Sequence, residues 1–204
     1  MVESQADSEK QRAKAIIMAA INKGKIDPVI TIHRQLVPVD EPVVDGNITT
    51  LMLVAGSGTG SDICKLLALN PDINKTDKYG RTALHFACRS GNEATFAELV
   101  KLEELEYDVF TNAGLTPLMM AVESRNIQLV AACLRANFNP FLHDALHQTA
   151  MDYARIGREQ LDNDIAVIIS NAMTQWKQQV PMDELAEGQI AFSNHFKDFL
   201  HKDL

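Results

Sequence analysis

A short frame, Thr-x-Leu or Thr-x-Met, recurs in this chain at nearly constant intervals. Its copies begin at positions 49, 82, 116 and 149, so the steps between them are 33, 34 and 33 residues. Five positions after each threonine stands a small apolar residue: Val54, Ala87, Ala121 and Ala154. Self-similarity with a period of about 20–50 residues is the signature of a repeat architecture. The sequence therefore predicts stacked copies of one small module.

Each copy carries two apolar stripes with helical spacing. The first joins the frame leucine to the small residue three positions later, as in Leu84 and Ala87, and such a pair shares one helix face. The second has the i, i+3, i+4 spacing of an amphipathic helix. Its members are Ile63, Leu66 and Leu67; Phe96, Leu99 and Val100; Val130, Cys133 and Leu134; Ile165, Ile168 and Ile169. Each module is thus predicted to run helix, turn, helix, extended loop.

The register also extends before the first clear copy and predicts where first helices end. Stepping back 34 residues from Thr49 reaches Ala15, which indicates a degenerate opening copy with a helix from about residue 8 to residue 23. Gly58 and Gly91 fall at the expected ends of first helices, where a positive φ is often needed. In the later copies this position is taken by Arg125 and Arg158.

Two long segments resemble ankyrin repeats. They are "NKTDKYGRTALHFACRSGNEATFAELVKL" and "FTNAGLTPLMMAVESRNIQLVAACLRANFNP". The resemblance implies an all-α ankyrin-repeat solenoid of stacked helix-turn-helix units over residues 45–172. Residues 1–44 are then a degenerate N-terminal capping repeat. Residues 173–204 lack the frame and are predicted to form a non-repeat, helical C-terminal tail.

The first and last copies depart from the family pattern near their threonines. Gly46 stands three residues before Thr49 instead of two, and His147 replaces the glycine expected before Thr149. Terminal repeats are atypical in such arrays because one of their faces meets solvent. We therefore expect the first and last copies to be less regular than the others, within the same fold.

The amino-acid composition restricts the cellular compartment and the classes of partner that we expect for this chain. The formal net charge is −8, with 19 basic and 27 acidic residues, and no Lys/Arg-rich run favours nucleic acid. No segment has the apolar length of a membrane span, and the beginning lacks the apolar stretch of a secretory signal. The three cysteines are expected to be small buried residues in a reducing compartment. We therefore predict no membrane partner and a cytoplasmic location, or a nuclear one by passive entry.

A glycine-rich stretch, "LVAGSGTGSDICKLL", raises the question of a nucleotide site. A phosphate-binding P-loop needs Gly-x4-Gly-Lys-Ser/Thr after a buried strand, and no lysine follows these glycines. The stretch lies between Leu51 and Ile63, at the helix–helix turn of its copy. It is therefore predicted to be a turn and not a cofactor site.

Other reactive side chains also favour structural roles. His143 and His147 have metal-ligand spacing but fall in a loop with no second cluster nearby. Cys64 and Cys133 lie on apolar stripes and are expected to be inert buried thiols. The methionine at position 120 is expected to fill core or to face the binding groove. In similar proteins, the equivalents of His85 and Thr82 hydrogen-bond to each other. We predict no catalytic, metal-binding or cofactor-binding residue, and no enzyme.

The resemblance implies a protein–protein interaction module, an adaptor or scaffold that binds its partner through a concave face of loop tips and first helices. The family's contact positions, carried over to this chain, are Lys78, Tyr79, Arg81, Arg89, Ser90, Asn112, Leu115, Glu123, Ser124, Leu146 and Ile156. Tyr79, Leu115 and Leu146 would be anchors, and the two arginines Arg81 and Arg89 would select an acidic group. For Leu115, packing against its neighbouring turn is the alternative.

Two other classes of function stay open, as does the role of the tail. The chain is alternatively a constitutive structural subunit of a large assembly, or an enzyme whose site arises from the tail or the glycine-rich turn. In the tail, Phe192, Phe196 and Phe199 fall on one side of a potential helix. That face would either cap the last repeat or dock a partner.

Overall fold

The structure, a computed structural model, describes residues 2–156 and 160–179, and there the chain is all-α. Its only strand-like feature within these residues is an isolated bridge between Val44 and Ile48. The all-α prediction is therefore confirmed. The helices are α1 (Val2–Asn22), α2 (Ile26–Gln35), α3 (Thr50–Ser57), α4 (Gly60–Leu67), α5 (Ala83–Arg89), α6 (Glu93–Leu99), α7 (Pro117–Glu123), α8 (Ile127–Arg135), α9 (Ala150–Ile156) and α10 (Gln160–Gln179).

The chain divides into two compact units. The first consists of Met1–Ala87 and Asn92–Leu105, and the second of Cys88–Gly91 and Glu106–Leu204. In the first unit α1 packs on α2 and α3, while α4 packs on α2, α3 and α6. In the second unit α7 and α10 each pack on both α8 and α9. Within each unit, consecutive helix pairs are thus stacked side by side.

The predicted apolar stripes form the cores of both units. Burial of these side chains supplies the main stabilisation, at about 25 cal/mol per Å² of apolar surface removed from water. The fully buried side chains of the first unit are Ile17, Val29, Ile63, Leu66, Leu84 and Leu99. Those of the second are Leu118, Leu129, Val130, Cys133, Phe138, Ile165 and Ile169.

The N-terminal copy contains a second helix that the repeat frame did not predict. The first helix, α1, begins at Val2 and ends at Asn22, and Gly24 turns the chain with a φ of +63°. Helix α2 follows and buries Val29 and Ile30. His33 joins α2 to the next copy, because its Nε2 lies 2.8 Å from the Thr50 hydroxyl. The opening copy is therefore a complete helix pair.

The frame threonines cap the first helices. The Thr49, Thr116 and Thr149 hydroxyls accept bonds from the backbone N–H three residues on, at 3.3–3.4 Å. In return, the backbone N–H of the threonine donates to the side chain of that third residue. The acceptors are Met52 Sδ, His85 Nδ1, Met119 Sδ and Asp152 Oδ2. Such reciprocal capping satisfies helix N-terminal donors, and the predicted Thr82–His85 bond is confirmed.

Asparagines cap two of the second helices and reach back to the preceding turn. Asn92 Oδ1 accepts from the N–H of Thr95, while its Nδ2 donates to the carbonyls of Ala55 and Gly58 at 3.2 and 2.9 Å. The Thr95 hydroxyl donates to the same Ala55 carbonyl at 2.6 Å. In the second unit, Asn126 caps α8 and donates to Gly91 in the same way. The sequence analysis missed this role, although Asn92 and Asn126 are one repeat apart.

A half-buried carboxylate, Asp108, is bonded to the loop after α8. Both of its oxygens accept from the backbone N–H of Asn139, at 3.2 and 3.4 Å. Burial raises the pKa of Asp108 from 3.8 to about 6, although the Asn139 N–H opposes the shift. Because the folded pKa lies above the unfolded one, the charged form destabilises the fold. That cost is present at pH 7 and disappears as the pH falls through 6 towards 3.8.

Replacing Asp108 with asparagine should therefore stabilise the protein at pH 7. Asparagine keeps an oxygen for the Asn139 N–H but carries no charge to desolvate. We expect D108N to unfold with a free energy about 1–2 kcal/mol above that of the native chain at pH 7, and the gap to shrink towards pH 4.5. Urea titrations of both proteins at the two pH values measure it, and a gap that does not change with pH would contradict the assignment.

Helix α10 continues past Ala172, the predicted end of the repeats, and ends at Gln179. The predicted domain boundaries stay predictions. Arg158 and the tail phenylalanines Phe192, Phe196 and Phe199 lie outside the described residues.

None of the helices within the described ranges has both the length and the apolar character that crossing a bilayer requires.

Candidate interaction surface

The three loop tips that precede α5, α7 and α9 share one backbone turn. Each opens with a buried polar residue: Asp77, Thr111 or Asp144. Its N–H donates to the carbonyl four residues on, and its side-chain oxygen accepts the N–H of that same residue. The backbone of each of these three tips is therefore held by a buried side-chain oxygen.

Positive φ angles close these turns, and they explain the irregular end copies. Gly80 and Gly114 adopt φ values of +75° and +78°. His147 adopts +59° at the equivalent position of the last copy, and Asn47 adopts +63° in the first. Asparagine and histidine tolerate this region better than most residues. His147 therefore keeps the same turn in the last copy, whereas the first copy differs because Gly46, with a φ of +87°, also adopts a positive value.

A single main-chain hydrogen bond links consecutive tips within each unit. In the first unit the N–H of Lys78 donates to the carbonyl of Gly46 at 2.8 Å. In the second, the N–H of Ala145 donates to the carbonyl of Ala113 at 3.1 Å. Adjacent tips are thus aligned through backbone atoms alone.

The tip of the first unit presents an aromatic ring flanked by cations. Tyr79 is 52% exposed, and its ring lies 4.9 Å from the Lys78 ammonium and 5.0 Å from the Arg81 guanidinium. Arg81 is also bonded to Asp77, with Nε at 2.7 Å and a terminal nitrogen at 2.6 Å from the same carboxylate oxygen. Its charge is therefore neutralised within the tip, so the arginine positions Tyr79 rather than offering a free cation.

The predicted tip residues of the second unit differ in exposure. Leu146 is 75% exposed. Asn112 and Leu115 are half-buried, and the N–H of Leu115 is tied to the Thr111 hydroxyl at 3.0 Å. Leu146 is therefore the most accessible apolar side chain of the predicted set in this unit.

The predicted positions on the first helices lie at helix C-terminal ends. Arg89 and Ser90 are exposed at the end of α5, and Glu123 is exposed at the end of α7. Ser124 caps α7, and its hydroxyl donates to the carbonyl of Ala121 at 2.7 Å. Ile156, the last residue of α9, is 63% exposed.

Tyr153 supports the last tip and was not foreseen from the sequence. Its hydroxyl donates to the buried carboxylate of Asp144 at 2.7 Å, while the other oxygen of Asp144 accepts the N–H groups of Leu146 and Gln148. Burial, followed by the bond to Asp144, raises the pKa of the tyrosine hydroxyl and keeps it protonated as a donor. The exposed Leu146 therefore lies on a tip whose buried Asp144 carboxylate accepts hydrogen bonds at both oxygens.

The turn predicted in the glycine-rich stretch is confirmed but consists of Gly58 and Thr59 alone, because the rest of the stretch lies in α3 and α4. Gly58 has a different reason to be glycine. Its φ is −84°, so the expected positive φ is wrong. A Cβ at this position would lie 2.7 Å from both the carbonyl oxygen and a γ-carbon of Val54. Thr59 then caps α4 in a reciprocal pair with Asp62. These contacts give Gly58 and Thr59 structural roles.

One prediction about a single side chain requires correction, and one alternative is settled. Cys64 is exposed, not buried, because α4 turns it away from the apolar stripe towards Glu98. Desolvation and the Glu98 carboxylate raise the pKa of its thiol. Cys88 and Cys133 are buried as expected, and Met120 is buried in core rather than facing a groove.

Metal binding receives no support from geometry. Over residues 2–156 and 160–179, no three His, Cys, Asp or Glu side chains are placed to hold an ion together. His147 has a backbone role instead, because it adopts the positive φ that closes its tip.

The repeated helix pairs and tips can be compared with known proteins. Residues 16–110 and 51–144 match the family described as "Ankyrin repeats (3 copies)". Together these matches span residues 16–144, more than half of the 204-residue chain. The chain belongs to the ankyrin repeat family. Ankyrin repeats are protein–protein interaction modules, so the family assignment supports that general role.

Individual relatives of this ankyrin repeat protein match it over short segments. Inversin-B of Xenopus laevis is 47% identical over 58 residues, which is 28% of this chain and 6% of that protein. A putative ankyrin repeat protein, L271, of Acanthamoeba polyphaga mimivirus is 30% identical over 90 residues, 42% of this chain and 12% of that protein. An ankyrin repeat-containing protein of Schizosaccharomyces pombe, C6C3.08, is 31% identical over 85 residues, 40% and 36% respectively. The chain thus spans a minor part of each relative.

Proposed function

We propose that this ankyrin repeat protein is a non-catalytic adaptor that binds another protein through its loop tips and the C-terminal ends of its first helices. The observation that carries the proposal is the combination of exposed apolar side chains with rigid backbone. Tyr79, Leu146 and Ile156 are each more than half exposed. Tyr79 and Leu146 stand on tips whose N–H groups are bonded to Asp77 and Asp144, and Ile156 is the last residue of helix α9.

Rigid presentation favours binding because less conformational freedom is lost in the complex. The N–H of Tyr79 donates to Asp77 and that of Leu146 donates to Asp144, both at 2.8 Å, so the tips need no reordering. Ordering a free side chain or loop costs about 0.5–1.5 kcal/mol per immobilised rotamer-rich residue. Preformed tips avoid the backbone part of that cost.

The chemistry of the second unit suggests the kind of partner surface it fits. Leu146 and Ile156 offer apolar anchors, and Arg89 and Glu123 add exposed charges of opposite sign. The matching surface would offer an apolar pocket with polar groups at its rim, because interfaces bury apolar anchors within a polar rim. A cytoplasmic location remains a proposal from composition.

Aspartate substitutions at the two apolar anchors test the proposal. We expect the double variant L146D/I156D to lose specific partners recovered from native extract, since each buried charge would face an apolar pocket. A hot-spot loss of about 2 kcal/mol or more corresponds to at least about 30-fold weaker binding. The measurement is quantitative affinity purification against the unmodified protein.

Val167 provides the matched control. It is 59% exposed on α10, outside the proposed surface, so V167D introduces a charge at a similarly exposed apolar position. Partners retained by V167D and lost by L146D/I156D support the surface. Equal recovery by all three proteins would reject it. Recovery of one fixed set of subunits that resists high salt would instead favour a constitutive structural subunit.

A further inference from the structure

A groove in the first unit lies at the C-terminal ends of the second helices, away from the tips and first helices. Its volume is about 490 Å³, within the range of about 300–1,000 Å³ typical of ligand-binding clefts. Apolar side chains line both sides of the groove. One side has Leu67, the last residue of α4, with Pro71 and Ile73 in the loop that follows, and the other has Leu102 in the loop after α6. Neither the proposed interaction surface nor the core accounts for this groove.

The walls of the groove are fixed by hydrogen bonds. Asn74 Nδ2 donates to the backbone carbonyl of Glu104 at 2.7 Å, which ties the loop after α4 to the loop after α6. The N–H of Leu105 donates to Leu102 at 3.2 Å, and the Leu105 side chain is buried. Glu103 and Glu104 lie between Leu102 and Leu105 and are therefore held in a defined position at the edge of the groove, which we call its lip.

The lip carries uncompensated negative charge. The carboxylates of Glu103 and Glu104 are exposed and form no ion pair with a described Lys, Arg or His side chain. Lys101, the adjacent cation, is engaged by both oxygens of Glu98 at 2.8 Å.

We propose that this groove binds a short protein segment in which apolar side chains are flanked by arginine or lysine. The apolar floor buries the aliphatic side chains of the bound segment, while the carboxylates of Glu103 and Glu104 receive its flanking cations. An acidic or neutral polar segment is disfavoured, because it would leave the floor unfilled or place like charges together. The partner chemistry follows from charge complementarity across the lip.

The test uses the full chain and a fluorescein-labelled peptide containing Arg-Leu-Leu-Arg between Gly-Ser spacers. Fluorescence anisotropy should show saturable binding of this peptide. The variant E103K/E104K should bind it at least about tenfold more weakly, equivalent to about 1.4 kcal/mol. Both glutamates are exposed, and the Asn74 bond uses a backbone carbonyl, so the substitutions leave the groove walls intact.

Matched controls separate the groove from general electrostatic attraction. The variant D7K/E9K makes the same change in net charge at exposed positions of α1 and should bind the peptide within about twofold of the unmodified protein. Peptides with Arg-Ser-Ser-Arg or Glu-Leu-Leu-Glu should bind at least about tenfold more weakly. Equal binding by E103K/E104K, equal binding of the serine peptide, or no binding of the leucine peptide would each overturn the proposal. None of these outcomes bears on the tip surface, which L146D/I156D tests separately.

Discussion

Alanine at position 58 is expected to lower the free energy of unfolding by about 2–3 kcal/mol, the range for overpacking a filled site. The new Cβ would lie 2.7 Å from the Val54 carbonyl oxygen, and that oxygen also accepts the N–H of Gly58 at 2.7 Å. Relieving the clash means breaking the bond that ends α3. The second close atom, a γ-carbon of Val54, belongs to a buried side chain with little room to move.

Gly24 supplies the comparison for this substitution. It has a φ of +63°, but an added Cβ there would meet no atom within 4 Å. G24A should therefore cost only the backbone strain, about 1 kcal/mol. Urea-induced unfolding of the two variants, followed by circular dichroism, measures both losses. A loss in G58A no larger than that in G24A would show that steric contact does not fix the glycine.

Replacing Asn92 with alanine should cost about 2–3 kcal/mol. Losing the cap on Thr95 accounts for about 1 kcal/mol. Losing the amide donor leaves the carbonyl of half-buried Gly58 without its 2.9 Å bond from Asn92, which adds about 1–2 kcal/mol. The same urea titration measures this effect.

Two further variants separate the roles of Asn92. Threonine, which caps the preceding copy at Thr59, keeps a cap oxygen but lacks the amide donor, so N92T should recover about 1 kcal/mol of the loss. T95V removes the other donor to the Ala55 carbonyl while preserving shape. Because either donor alone still satisfies that carbonyl, N92A and T95V together should cost more than the sum of the single losses. Strict additivity would contradict the shared-acceptor geometry.

Much of the fold could be predicted because each repeat column has one physical task. The frame threonine is an N-cap, and the following leucine and alanine pack inward, so their spacing identifies first helices directly. The residue three positions after the threonine accepts its N–H through sulfur, nitrogen or oxygen, at Met52, His85 or Asp152. Chemically different residues thus share one role, which identity-based comparison of the copies obscures.

The remaining features could not be predicted because they depend on three-dimensional neighbours. Helix α2 is an exception: its buried Ile26, Val29 and Ile30 have the i, i+3, i+4 spacing of a second helix, so this signal was present in the sequence and was missed. Cys64 occurs in an apolar stretch, but the local orientation of α4 exposes it. Gly58 matches Gly91 in register while the two adopt opposite signs of φ.

The candidate surface was predictable in position but not in detail. The family resemblance located the tips, and the structure shows that Arg81 is bonded to Asp77 within its own turn. The sequence contains both Arg81 and Asp77, but only the structure shows that their side chains are bonded to each other. The groove beside Glu103 was invisible for the same reason, since its two sides come from loops about 30 residues apart.

The single backbone bond between neighbouring tips has an evolutionary consequence. Because the amide of Lys78 and the carbonyl of Gly46 make this contact, the amino acid displayed beside it can change without loss of the alignment. Selection can therefore exchange Tyr79 or Leu146 for other side chains at little cost to folding. Lineages sharing this scaffold would diverge in what they recognise long before they diverge in architecture.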